Sequence, residues 1–155
     1  MRDDGTSATR GRAMLFCRVQ GRRCALPLEH VGETMRPLAI HPLAGAPAGV
    51  RGLAVIRGGS VPVVDLRELF VADSPAVEAA RFVTIKLGRR WVALAVDLVE
   101  GARTVHDEIL EALPPLLGPA GAEVFAAIGN LDAELLLVLR ASNLVPDSLW
   151  EQIEA

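Results

Sequence analysis

The sequence predicts an all-β fold made of two similar, small, closed β units. Two observations carry this. Apolar residues recur with a period of two on both sides of short Gly/Arg turns, and the same run of elements occurs twice along the chain. In "FCRVQGRRCALP" and again in "VTIKLGRRWVALAV" an alternating run meets Gly-Arg-Arg and a second apolar run follows. This is the pattern of a tight hairpin, with Gly21 and Gly88, 67 residues apart, free to take the positive φ such turns need.

The first 13 residues, "MRDDGTSATRGRA", carry mixed charge and no apolar stretch, the character of a disordered tail rather than a signal peptide. Leu15, Cys17 and Val19 alternate with Phe16, Arg18 and Gln20 in a first strand. If Gly21-Arg22 is the two-residue turn, position 19 faces 24 and position 17 faces 26. Cys17 and Cys24 then sit diagonally, about 7–8 Å apart, and read as two small buried hydrophobes rather than a disulfide. In "RGLAVIRGGSVPVVDLREL" (51–69), Arg57-Gly58-Gly59-Ser60 turns between two strands. Asp65 with Glu68 there has capping-box spacing for a short helix at 66–70. "VADSPAVEAA" (71–80), polar and interrupted by Pro75, reads as a linker or exposed loop.

The second copy follows. Val83, Ile85 and Leu87 alternate with Thr84 and Lys86, and "VALAVDLVEG" lies over "CALPLEHVGE", bringing Ala25 onto Ala93, Leu26 onto Leu94 and Val31 onto Val99. "ALPPLLGPAGAEVF" (112–125) is punctuated by prolines and predicts a wrapping segment with a short helix near 120–126. "IGNLDAELLLVLRASNLV" (128–145) repeats 51–69, with Leu131-Asp132-Ala133-Glu134 as its turn. The final segment, "PDSLWEQIEA" (146–155), offers Asp147 or Ser148 as an N-cap and lines Leu149, Trp150 and Ile153 along one face. It predicts a C-terminal helix that packs its Trp on a barrel.

Composition excludes several functions. A chain of 155 residues can bury about two-thirds of its extended surface. With 16 basic residues scattered among 19 acidic ones and a net charge of −3, it has no electrostatic footprint for nucleic acid. Hydrophobic content reaches 51%, yet apolar runs such as "LLLVL" at 135–139 are far too short to cross a bilayer. His30, His41 and His106 fall in different elements, without metal-ligand spacing. No nucleophile-elbow or phosphate-cradling motif occurs. Asp65 and Asp97 are strand-end carboxylates, one reading as a helix cap and the other as the end of an apolar strand. No catalytic residue, metal or cofactor is expected. The remaining class is a binding module built from small barrels; its rival is a small-molecule or catalytic double barrel with Asp65 and His41 converging on one cavity.

The segment "VRGLAVIRGGSVPVVDLRELF" (50–70) resembles the signature of CheW-like domains, the adaptor modules of bacterial chemosensory arrays, in its Arg-Gly turn, its Val-Pro strand and its Val-Asp-Leu-Arg. The resemblance extends over residues 14–145, through "FCRVQGRRCALPLEHVGETMRP", "HPLAGAPAGVRG" and "RFVTIKLGRRWVALAVDLVEG". Val55 and Ile56 stand where the family has Asn and Leu, and Cys24 where an aromatic is common. The resemblance implies two five-stranded SH3-like barrels, intertwined and packed on a common hydrophobic core. It also implies a non-catalytic cytoplasmic adaptor that joins membrane receptor arrays, linking the cytoplasmic tips of methyl-accepting chemoreceptors to the regulatory domain of a CheA-like histidine kinase. By the same resemblance, Val31, Glu33 and Arg57 border the receptor groove, and Leu98, Val99 and Ala102 mark the kinase-facing surface. A CheW-like scaffold serving a surface-motility or second-messenger pathway would carry the same signature.

Overall fold

Two-residue turns fold the alternating segments into hairpins, and the chain is largely a succession of them. The computed structural model describes residues 10–70, 79–112 and 123–154. β1 (Gly11–Val19) and β2 (Arg22–Pro27) form the first hairpin, and a single 3-10 turn, Leu28–His30, leads to β3 (Val31–Met35). β4 (Val50–Ile56) and β5 (Gly59–Asp65) follow, then the one-turn helix α1 (Arg67–Phe70). The second half runs through β6 (Arg81–Leu87), β7 (Arg90–Val96), β8 (Leu98–His106) and the two-residue β9 (Leu110–Glu111). It closes with β10 (Phe125–Leu131), β11 (Glu134–Leu139) and the helix α2 (Asp147–Glu154). β1 begins at Gly11, so residues 11–13, read from sequence as tail, are strand paired with Thr104–His106. The predicted linker at 71–80 lies outside the described residues except for Ala79 and Ala80. Of the helix predicted near 120–126, Phe125 and Ala126 are strand, Glu123 and Val124 are helical, and the rest lies outside the described residues.

The strands form two mixed sheets, in the orders β8-β1-β2-β11-β10-β9 and β3-β6-β7-β5-β4. Apart from the short β9, one order maps onto the other, including the single parallel contact of each sheet, β2 with β11 and β7 with β5. These are the two SH3-like barrels. The linear order of the copies groups 14–27 with 51–69, but the structure exchanges the hairpins: β1 and β2 complete the sheet of the C-terminal strands, while β6 and β7 complete that of β3 to β5.

The backbone repeat is 68 residues rather than the 67 of the Gly-Arg-Arg match, since Val19 pairs with Arg22 as Leu87 does with Arg90. The first turn is therefore Gln20-Gly21, with φ of 52° and 75°, and not Gly21-Arg22. Two successive left-handed residues make the type of hairpin turn whose twist matches the strands. The one-residue correction also moves the cysteines from a diagonal to a directly opposed pair, Cys17 facing Cys24, both free and fully buried.

Three apolar clusters result. Met14, Phe16, Leu136 and Val138 fill one barrel, and Val61, Val63, Phe82 and Ala93 the other. Between them lies a shared core in which Leu15, Cys17, Cys24 and Leu26 meet Val83, Ile85, Val92 and Leu94. Strands with one face inside a barrel and the other in the shared core are buried on both sides, which is why the apolar content is so high. Trp150 of α2 joins that shared core with Leu149.

Candidate functional site: one sealed and one open barrel mouth

Toward the hairpin turns, the face of β1 and β2 that lines the first barrel continues from Phe16 and Ala25 into Arg18 and Arg23. These side chains close that end. Arg18 gives Nε to Glu100 at 3.0 Å and both terminal nitrogens to Glu134 at 2.8 Å. Arg23, only 9% exposed, reaches Glu100 at 3.1 Å and Asp132 at 3.2 Å, and Arg103 reaches Asp132 at 2.6 Å. The guanidinium groups of Arg23 and Arg103 lie 5.5 and 5.3 Å from the centre of the Phe16 ring. Burial opposes ionisation of Glu100, but hydrogen bonds from Arg18 and Arg23 outweigh it and hold the carboxyl below its ordinary value. Arg103 does the same to Asp132, and Arg18 to Glu134.

At the second barrel the repeat places different residues at the same points. Lys86 stands for Arg18, Trp91 for Arg23 and Gly32 for Glu100, each 68 residues away. Arg57, the first residue of the β4–β5 turn, and Gly59, just after it, stand for Asp132 and Glu134. Both copies even share the bulge at which Glu100 or Gly32 sits. With glycines where the other barrel has carboxylates, this end stays open as a groove of about 650 Å³. It is lined by Ile56, Val61 and Thr84 of the barrel, by the charged Glu33 and Arg57, and by Trp150, Ile153 and Glu154 of α2. Trp91 lies across β6 onto Gly32, where a Cβ would come within 2.7 Å of the indole.

The Glu33–Arg57 ion pair expected from sequence is present, Arg57 Nη2 donating to Glu33 Oε2 at 2.5 Å with Arg57 itself 75% exposed. Arg57 occupies the left-handed first position of its turn, φ 51°, and from there its side chain reaches Glu33 of β3. Val31, in contrast, packs on the shared core and does not line the groove. Of the second set, Leu98 is 51% exposed and Ala102 exposed on the edge strand β8, while Val99 packs on the shared core. They belong to the other sheet.

Asp65 and His41 do not converge. Asp65 is 1% exposed, accepts from Arg51 at 2.7 Å and from Arg67 through both its backbone N–H and Nε, and lines neither large surface pocket, nor does His41. Asp65 does cap the following turn, but the predicted box is only half made, because Glu68 accepts from the N–H of Gly49 instead of from that of Asp65. Asp97, read as a sheet-edge carboxylate, accepts the N–H of Gln20 at 2.8 Å and pins the first hairpin turn. Among the described residues no cluster of His, Cys, Asp and Glu has metal-site geometry. Trp91 and Gly32 were not singled out by sequence, and Gly59 and the predicted C-terminal helix were not placed at a site. The signal was the 68-residue register, which sets Trp91 against Arg23.

The architecture is that of a double SH3-like barrel with one end sealed by charge and the other open. The CheW-like domain family model matches residues 13–148, and the chain belongs to that family. It is 33% identical to protein FrzA of Myxococcus xanthus over 129 residues, 79% of each chain. It is 39% identical over 100 residues to the chemotaxis protein CheA of Salmonella typhimurium, covering 61% of this chain but only 14% of that protein. Chemotaxis protein CheW of Klebsiella aerogenes matches at 24% identity over 104 residues, 66% of this chain and 63% of that one. Among solved structures, the scaffolding protein TtCheW of Thermoanaerobacter tengcongensis shares the fold, with a TM-score of 0.71 and 17% identity over 84% of this chain and 90% of that one. The chain is thus a CheW-like scaffold of chemotaxis-type signalling.

Proposed function

We propose that this protein is a non-catalytic adaptor that couples chemoreceptors to a CheA-like histidine kinase. The observation that carries the reading is the asymmetry of the two barrel ends: an open, partly apolar groove bordered by Glu33 and Arg57 on one, and a closed ion network on the other. An adaptor draws its affinity from a few desolvated anchors while charges at the rim set register and partner choice. The groove receives the receptor's cytoplasmic tip. The edge strand β8, with Leu98 and Ala102 exposed on the other sheet, receives the kinase regulatory domain. No helix among the described residues is long and apolar enough to cross a membrane. In this proposal the adaptor joins membrane arrays from the cytoplasmic side through its partners.

The test is calorimetric titration of the protein with a receptor-tip fragment and, separately, with the kinase regulatory domain. Arg57→Ala should leave the melting temperature within about a degree or two, because an exposed ion pair contributes about 0–1 kcal/mol to folding. It should weaken binding of the tip by about 1–3 kcal/mol and leave the kinase domain's affinity nearly unchanged. Equal weakening toward both partners, or toward neither, would overturn the two-surface reading.

A further inference from the structure

We infer that the C-terminal helix is part of the docking surface: with Trp91 it forms an apolar slot in the groove that takes one large apolar side chain of the receptor's tip. This rests on the receptor reading of the groove. The slot is built from three pieces of the fold. Trp91 is 38% exposed, an unusual state for an indole, and its ring comes so close to Gly32 that no side chain fits there. Ile153 and Trp150 of α2 line the same groove. α2 is held in that place by Arg90, whose Nε and Nη2 each donate to Glu154 at 2.9 Å while its guanidinium stacks 4.9 Å from the Trp150 ring.

The other barrel shows what a slot without an occupant would look like. There the residue equivalent to Trp91 is Arg23, tied to Glu100 and Asp132, and the same diagonal crossing of the sheet is polar and satisfied. An indole and two glycines in place of that network leave apolar surface that Lys86, with its Nζ 5.5 Å from the centre of the Trp91 ring, covers only in part. The rim fixes the partner's chemistry. Arg57 and Arg90 are committed to Glu33 and Glu154, but Arg89, also lining the groove, makes no ion pair among the described residues. The occupant therefore carries a carboxylate beside its apolar anchor, for Arg89 to meet.

Trp91 and Trp150 are the two tryptophans of the chain, and Trp150 is already buried, so tryptophan emission reads the slot directly. Titrating a tryptophan-free receptor-tip fragment into the full-length protein should shift the emission to the blue, and Trp91→Phe should abolish the shift while still binding. Trp91→Ala should weaken the tip about tenfold to a hundredfold, Trp91→Phe less, and Ile153→Ala about fivefold, with the kinase regulatory domain bound as before in all three. Urea midpoints of the variants establish that they are folded. If Arg57→Ala weakens the tip but Trp91→Ala does not, the slot is wrong and the receptor reading stands. Weakening toward both partners by Trp91→Ala makes its role structural and also overturns the slot. A tip fragment that fails to bind the unmodified protein removes both.

Discussion

Replacing Asp65 by Ala should destabilise the protein far more than loss of a helix cap. The cap alone, the hydrogen bond from the N–H of Arg67 at 3.0 Å, is worth about 1 kcal/mol. Asp65, however, also neutralises Arg67, whose side chain is 6% exposed and whose other carboxylate neighbour, Asp97, stays 3.7 Å away. Arg67 Nη2 is buried without a hydrogen-bond partner among the described residues. Removing one member of a buried pair strands the other charge, at a cost of about 3–5 kcal/mol, whereas removing both can be neutral. Asp65→Ala is therefore expected to cost about 3–5 kcal/mol, and Asp65→Ala with Arg67→Leu markedly less than Asp65→Ala alone. Urea unfolding with an unchanged m-value measures both, and the double-mutant cycle isolates the coupling. A single-variant cost near 1 kcal/mol, or a double variant less stable than the single, would refute the buried-charge reasoning and leave only the cap.

Gly52→Ala should cost at least about 2 kcal/mol or prevent folding, since Gly52 sits at φ +146° and a Cβ would meet the carbonyl oxygen of His41 at 2.2 Å; a thermal melt within a degree of the parent would contradict this. Glu100, Asp132 and Glu134 have folded-state pKa values below their ordinary 4.5, 3.8 and 4.5, so the unfolded chain binds their protons first. Stability from the sealed barrel end should thus hold from neutral pH down to about pH 4.5 and fall below it, and Glu100→Gln should flatten that acid limb in urea titrations. Burial pushes the thiols of Cys17 and Cys24 up from 9.0 to about 12. Both should resist a disulfide-exchange reagent until the protein unfolds, and stability should decline as pH rises above 9 while the unfolded thiols ionise.

The local elements were legible in the sequence because their signals are local. Alternation gave the strands of both hairpins, Pro146 and Asp147 the start of α2, and the placement of Glu33 and Arg57 on neighbouring elements their ion pair. What was not legible depends on contacts distant in sequence. Nothing near Gln20 marks it as left-handed; the Asp97 carboxylate holding its N–H, 77 residues away, is what favours that turn. Glu68 has the spacing of a capping box, but the Gly49 loop reaches it first. Asp65 looked like a simple cap because sequence does not disclose that Arg51 and Arg67 meet it in the core. The exchange of hairpins follows from two parallel strand contacts, which leave no local trace.

That exchange has a mechanical consequence. Each barrel hands the chain to the other over very short spans, Leu28–His30 between β2 and β3 and Asp97 alone between β7 and β8. A load applied at the open groove therefore passes, within a few residues, into the sheet that carries the opposite edge. Neither barrel can hinge or peel from the other without unzipping strands in both, so partners gripping opposite sides would pull against a single stiff body.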